Sequence, residues 1–62
     1  MPIVTIELIE GRTVDQKREM VKQITETIKN VTNIPEDFIE VIFHDLKKEN
    51  YSKGGKLFID MK

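Results

Sequence analysis

From Thr13 to about residue 32 the apolar residues recur at helical spacing, and this stretch separates two short runs rich in β-branched residues. A helix-length connection between two strands implies that they run parallel, joined by a right-handed crossover. The first run, residues 3–9, reads Ile-Val-Thr-Ile-Glu-Leu-Ile. Alternation along it places Ile3, Thr5, Glu7 and Ile9 on one face and Val4, Ile6 and Leu8 on the other. Glu10-Gly11-Arg12 breaks the run, and Gly11 permits a turn. Thr13 and Gln16 then stand at capping-box spacing, and Asp15 suits the positive end of a helix dipole. Met20, Val21, Ile24, Ile28 and Val31 form an apolar stripe, leaving Lys17, Arg18, Lys22, Glu26 and Lys29 for the solvated side. Asn33 and Pro35 stop the helix near residue 32.

The second run, residues 38–46, reads as a strand with Ile39, Val41 and Phe43 on one face and Glu40, Ile42 and His44 on the other. Residues 47–50 form a polar connection, and residues 51–56 a flexible glycine-containing loop. Leu57-Phe58-Ile59 is expected either as a short terminal strand or as a contact to a neighbour. The reading is α+β, over one domain spanning residues 1–62.

At 62 residues, folding buries only roughly 60% of the surface that the unfolded chain exposes. One helix covers one face of a two-stranded sheet, whereas parallel sheets are normally covered on both. The remaining face needs a partner chain, so an oligomer is expected. The chain has no cysteine, which removes disulfides and thiolate metal sites, and its single histidine leaves no ligand set for zinc within one chain. Ten basic against eleven acidic residues give a net charge of −1, with no general attraction to nucleic acid or membranes. No apolar run approaches the ~20 residues of a membrane span. The N-terminus lacks the basic and apolar regions of a signal peptide, so a cytoplasmic protein is expected.

No GxSxG, GxGxxG or Walker pattern occurs. His44 reads as an exposed or interface residue, Lys47-Lys48 as solvated surface, and Gly54-Gly55 between Lys53 and Lys56 as a loop rather than an anion cradle. Pro2 is different. Cellular processing generally removes an initiator methionine before a small residue, which leaves a secondary amine at the head of a strand. Neutral, that amine is a base and a nucleophile. Position alone leaves two readings open, a catalytic amine or an inert terminal residue.

Met1-Pro2-Ile3-Val4, Leu8-Ile9-Glu10-Gly11-Arg12-Thr13, Asp15-Gln16-Lys17, Val41-Ile42 and Asn50-Tyr51 followed by Gly54-Gly55 resemble, in register and over essentially the whole chain, the small 4-oxalocrotonate tautomerase family. The resemblance implies a β-α-β protomer with parallel strands and a short C-terminal strand or hairpin, assembled as a homohexamer (a trimer of dimers). It implies an isomerase that moves a proton between carbons of an unsaturated 2-oxo or 2-hydroxy acid such as 2-hydroxymuconate. Pro2 is then the general base and acid, with no metal or organic cofactor, and the setting is the catabolism of aromatic compounds. Arg12 takes a carboxylate-binding role from a neighbouring subunit, and Tyr51, where the family usually has phenylalanine, walls the site.

The best-known members carry a second arginine in the second strand, and Glu40 stands at that position here. A carboxylate repels a developing oxyanion. Lys53, Lys56 or the Tyr51 hydroxyl substitutes for the missing cation, or the substrate carries fewer negative charges, as in an arylpyruvate or an uncharged enone, or Glu40 is an ordinary exposed strand residue. The expectation is a tautomerase of weak or altered specificity, inactive while Met1 makes the Pro2 nitrogen an amide. Two alternatives stand beside it. One is a related hydratase or dehalogenase-type lyase, in which Glu40 activates water and protonated Pro2 donates. The other is a non-catalytic oligomeric member.

Overall fold

The computed structural model describes residues 2–61. Strand β1 (Ile3–Ile9) leads into helix α1 (Val14–Thr32), a single turn of tight helix (Glu36–Phe38) and strand β2 (Glu40–Leu46). β1 and β2 pair in parallel, with Ile3 opposite Glu40 and Ile9 opposite Leu46. The ladder continues one residue past each end. The Glu40 N–H donates to the Pro2 carbonyl at 3.0 Å, and the Glu10 N–H to the Leu46 carbonyl at 2.8 Å.

The helix begins where its capping residues stand. The Gln16 N–H donates to Thr13 Oγ1 at 3.1 Å and the Thr13 N–H to Gln16 Oε1 at 2.9 Å, satisfying two amides that the helix itself leaves unpaired. At the other end Asn33 takes the left-handed conformation, φ 61°, and its N–H closes on the Lys29 carbonyl.

Val4, Ile6 and Leu8 of β1 and Val41 and Phe43 of β2 are half-buried, as are Met20, Val21, Ile24 and Ile28 of the helix. These residues form the helix–sheet layer. Val31, expected in the same stripe, is 78% exposed. Nineteen helical residues span roughly 28 Å and seven strand residues roughly 23 Å, so the last helical turn runs past the sheet it covers.

The second strand starts later than the apolar run suggests. Pro35 turns the chain, and the Phe38 N–H bonds back to its carbonyl at 3.0 Å, which draws residues 36–38 into a turn before β2 begins. The C-terminal segment forms the hairpin that the resemblance implies, where residues 51–56 alone read as a flexible loop. After a turn at Lys48–Asn50, β3 (Ser52–Lys53) and β4 (Lys56–Leu57) pair as an antiparallel hairpin. Gly54 and Gly55 are its two loop residues, at φ 61° and 82°. Two successive positive φ values define the tight turn that matches strand twist, and glycine adopts them without strain. Leu57 belongs to the terminal strand, but Phe58–Asp60 turn away as tight helix.

A single copy has no core. Among the described residues not one is buried, hydrophobic or polar. The accessible surface is 5142 Å², against about 4,200 Å² for a compact chain of this mass. The radius of gyration is 14.9 Å, against about 10.6 Å for a compact domain of this length. On the face turned away from α1, Ile3 is 57% and Ile42 42% exposed. The β1–β2 sheet has two strands among the described residues, with an unpaired edge on each side.

Cover from further copies makes stability depend on concentration. Thermal unfolding followed by circular dichroism should show a midpoint that rises by several degrees per tenfold increase in protein, roughly the shift that 1 kcal/mol gives a domain this small. A midpoint independent of concentration over three decades contradicts this.

Candidate functional site

The two ends of the parallel sheet carry different chemistry. Pro2 is half-buried and lies at the head of β1, its carbonyl tied into the ladder by Glu40. Its ring and this hydrogen bond fix where its nitrogen stands. Glu40, also half-buried, is the nearest ionisable residue along the ladder.

Arg12 lies past the opposite end of β1. Gly11 makes the turn between them at φ 121°, a conformation that side chains disfavour. The capping box at Thr13 then directs the chain back along the sheet as α1. Arg12 borders an open groove of about 500 Å³ beside β1, with Ile6, Leu8 and Met20 as apolar floor and Gln16 and Glu19 at the rim. Among the described residues its guanidinium makes no ion pair. An unpaired guanidinium over an apolar floor suits a carboxylate carried on a carbon skeleton.

Tyr51 follows the turn at Lys48–Asn50, beyond the end of β2, and so lies on the Arg12 side of the sheet. Its ring packs edge-on against Phe58, centroids 6.2 Å apart at 62°, and its carbonyl accepts the Phe58 N–H at 2.7 Å. That contact fixes the ring at the base of the hairpin.

One copy therefore brings Arg12 and Tyr51 to one end and Pro2 to the other. β1 alone spans roughly 20 Å between Ile3 and Ile9. No small molecule reaches both Pro2 and Arg12 of the same chain, and the groove beside Arg12 does not include Pro2.

Other charged residues have structural partners. Lys17, expected on the solvated side, instead faces the sheet: its Nζ lies 2.6 Å from Asp45 Oδ2 and 5.7 Å from the centre of the Phe43 ring. Its spacing to Val21 and Ile24 places it on the apolar stripe, and its stem covers apolar surface while the ammonium meets Asp45. Asp45 occupies a helix-facing position by the alternation that Val41 and Phe43 set. On the opposite face His44 Nδ1 stands 3.4 Å from Glu7 Oε1, an exposed cross-strand pair. Lys53 and Lys56 oppose each other in the exposed hairpin. No group of three or more metal-ligating side chains occurs among the described residues, and no helix among them is long and apolar enough to cross a membrane.

The family model for tautomerase enzymes matches residues 2–61. The 2-hydroxymuconate tautomerase of Bacillus subtilis (strain 168) is 41% identical over 61 residues, covering 98% of each chain. Two solved structures are similar throughout. YwhB, a homologue of 4-oxalocrotonate tautomerase, has a TM-score of 0.90 at 39% identity, covering 98% of this chain and 100% of its own. A second homologue of that enzyme, TTHB242, has a TM-score of 0.94 at 31% identity, covering 100% and 98%.

The Lys17–Asp45 pair is partly exposed, at 24% and 46% of the two side chains, so its contribution is modest. Asp45→Ala should lower unfolding free energy by about 1 kcal/mol in urea at fixed protein concentration. Lys17→Met should cost less, because methionine keeps the packing on Phe43. A neutral Asp45→Ala contradicts the assignment.

Proposed function

The chain belongs to the tautomerase family, and from that premise we propose that it is a cofactor-independent isomerase acting on an unsaturated 2-oxo or 2-hydroxy acid such as 2-hydroxymuconate, with weak or altered specificity. Pro2 is its base once Met1 is removed; the state of Met1 lies outside the described residues. The observation that carries the reading is the ladder bond from Glu40 to the Pro2 carbonyl, which holds the nitrogen at a defined place at the sheet's end.

The chemistry follows from the groups. A carbon or oxygen acid conjugated to a carbonyl loses its proton to the neutral Pro2 amine, leaving a pyrrolidinium and a dienolate. The same proton then returns to a different carbon, and the amine is regenerated. Apolar cover favours the uncharged amine, because burial disfavours the charged form. Arg12 holds the substrate carboxylate through its planar fork, and Tyr51 excludes water.

The separation of Pro2 from Arg12 and Tyr51 within one chain supports a site built at the seam between copies, and the lack of a core in one copy supports the same assembly. We take the assembly to be a homohexamer of one-domain chains over residues 1–62, working in the cytoplasm on products of aromatic breakdown. Glu40 beside Pro2 supports a second reading, a hydratase or dehalogenase-type lyase in which this carboxylate activates water. Hydrated or dehalogenated products would identify it.

Processed protein, verified by intact mass, should ketonise 2-hydroxymuconate in an ultraviolet absorbance assay. Pro2→Ala should lose at least about a hundredfold in rate, the usual worth of a positioned base. Arg12→Ala should raise KM by roughly tenfold or more, as loss of a charged hydrogen-bonding partner does. Retained rate in the first variant, or unchanged KM in the second, removes that residue from the mechanism.

A further inference from the structure

The end of the sheet that carries Pro2 also carries a carboxylate. Glu40 opens β2, donates its N–H to the Pro2 carbonyl at 3.0 Å, and has Ile3 as its partner across the ladder. Partners in a parallel pair project to the same face, so Glu40 shares with Ile3 and Ile42 the face turned away from α1. Adjacent strands lie about 4.8 Å apart, so Glu40 and Pro2 stand side by side at one end of the sheet.

Glu40 is half-buried although it stands at a strand's end, and among the described residues no cation lies within ion-pairing distance of it. Three cations of the described residues are held by other carboxylates. Lys17 is held by Asp45, Arg18 by Asp15 and Lys29 by Glu36. Lys47 and Lys48 follow the far end of β2. Around Glu40 the exposed neighbours on its face are apolar, Ile3 across the ladder and Ile42 two residues along.

We propose that Glu40 selects substrate by charge, so that the site takes a monoanionic 2-oxo or 2-hydroxy acid with an uncharged remainder in preference to a dicarboxylate. The inference rests on the tautomerase reading above and narrows its substrate class. One carboxylate of the substrate is matched by Arg12 of a neighbouring copy. A second carboxylate at the Pro2 end meets Glu40, which has no ion pair among the described residues. At about 6–8 Å and an effective dielectric constant near 20, that repulsion amounts to roughly a ten- to hundredfold penalty. An aromatic or alkyl remainder meets Ile3 and Ile42 instead.

The test compares kcat/KM for phenylenolpyruvate, a monoanion, with that for 2-hydroxymuconate, a dianion, in processed wild-type protein and in Glu40→Gln. The variant should shift the ratio toward the dianion by about tenfold or more. A ratio unchanged within about threefold overturns the proposal. A measurement on wild-type protein alone guards against a variant that fails to fold. Monomethyl fumarate should inhibit phenylenolpyruvate turnover more strongly than fumarate, and equal or stronger inhibition by fumarate overturns the proposal. If processed wild type turns over neither enol, the tautomerase reading falls and takes this inference with it. Turnover with an unaltered ratio removes the role of Glu40 alone.

Discussion

A two-stranded parallel sheet with one helix on one side leaves the other side open, and everything else about this chain follows from that. The half-buried layer between α1 and the sheet, with the Tyr51–Phe58 contact beside it, is the main internal packing. No described residue reaches full burial, and the surface exceeds that of a compact chain by an amount on the order of 1,000 Å². Apolar cover of that extent is what a standard protein interface supplies to one partner. The exposed isoleucines at positions 3 and 42 and the free edge of β1 are the surfaces that such an interface would cover.

The same incompleteness organises the chemistry. Parallel strands put the heads of β1 and β2 at one end and the turns that follow them at the other. Pro2 and Glu40 belong to the first end, Arg12 and Tyr51 to the second, and a strand's length separates them. A site using both ends exists only where the head of one copy meets the tail of another. Lys17 with Asp45 and Thr13 with Gln16 hold the protomer together at the Arg12 end, where the helix starts beside the close of β2.

Much of this was legible in the sequence because the local signals were strong. Thr13 and Gln16 marked the helix start, Asn33 its end, and alternation assigned the strand faces. The parallel order followed from the length of the crossover. Other features depended on tertiary context. Lys17 is charged, so it read as solvated, yet its spacing to Val21 and Ile24 put it on the packed stripe where Asp45 awaited it. Val31 had the right spacing but lay beyond the reach of the strands. Gly54-Gly55 read as a flexible loop, although adjacent glycines are also the signature of the tight hairpin turn found there. Pro2, Arg12 and Tyr51 were proposed from the family resemblance, with Arg12 from a neighbouring subunit, and the strand register places Pro2 and Arg12 at opposite ends of one copy.

The central claim is that the catalytic site is shared between copies, and subunit complementation tests it most directly. Pro2→Ala and Arg12→Ala chains, each strongly impaired alone at substrate well below the wild-type KM, are co-expressed, purified as mixed oligomers and assayed at that concentration. Random mixing in a closed assembly should restore about a quarter of wild-type activity, since some seams then pair an intact Pro2 with an intact Arg12. Mixed oligomers no more active than the average of the two parents would contradict a shared site.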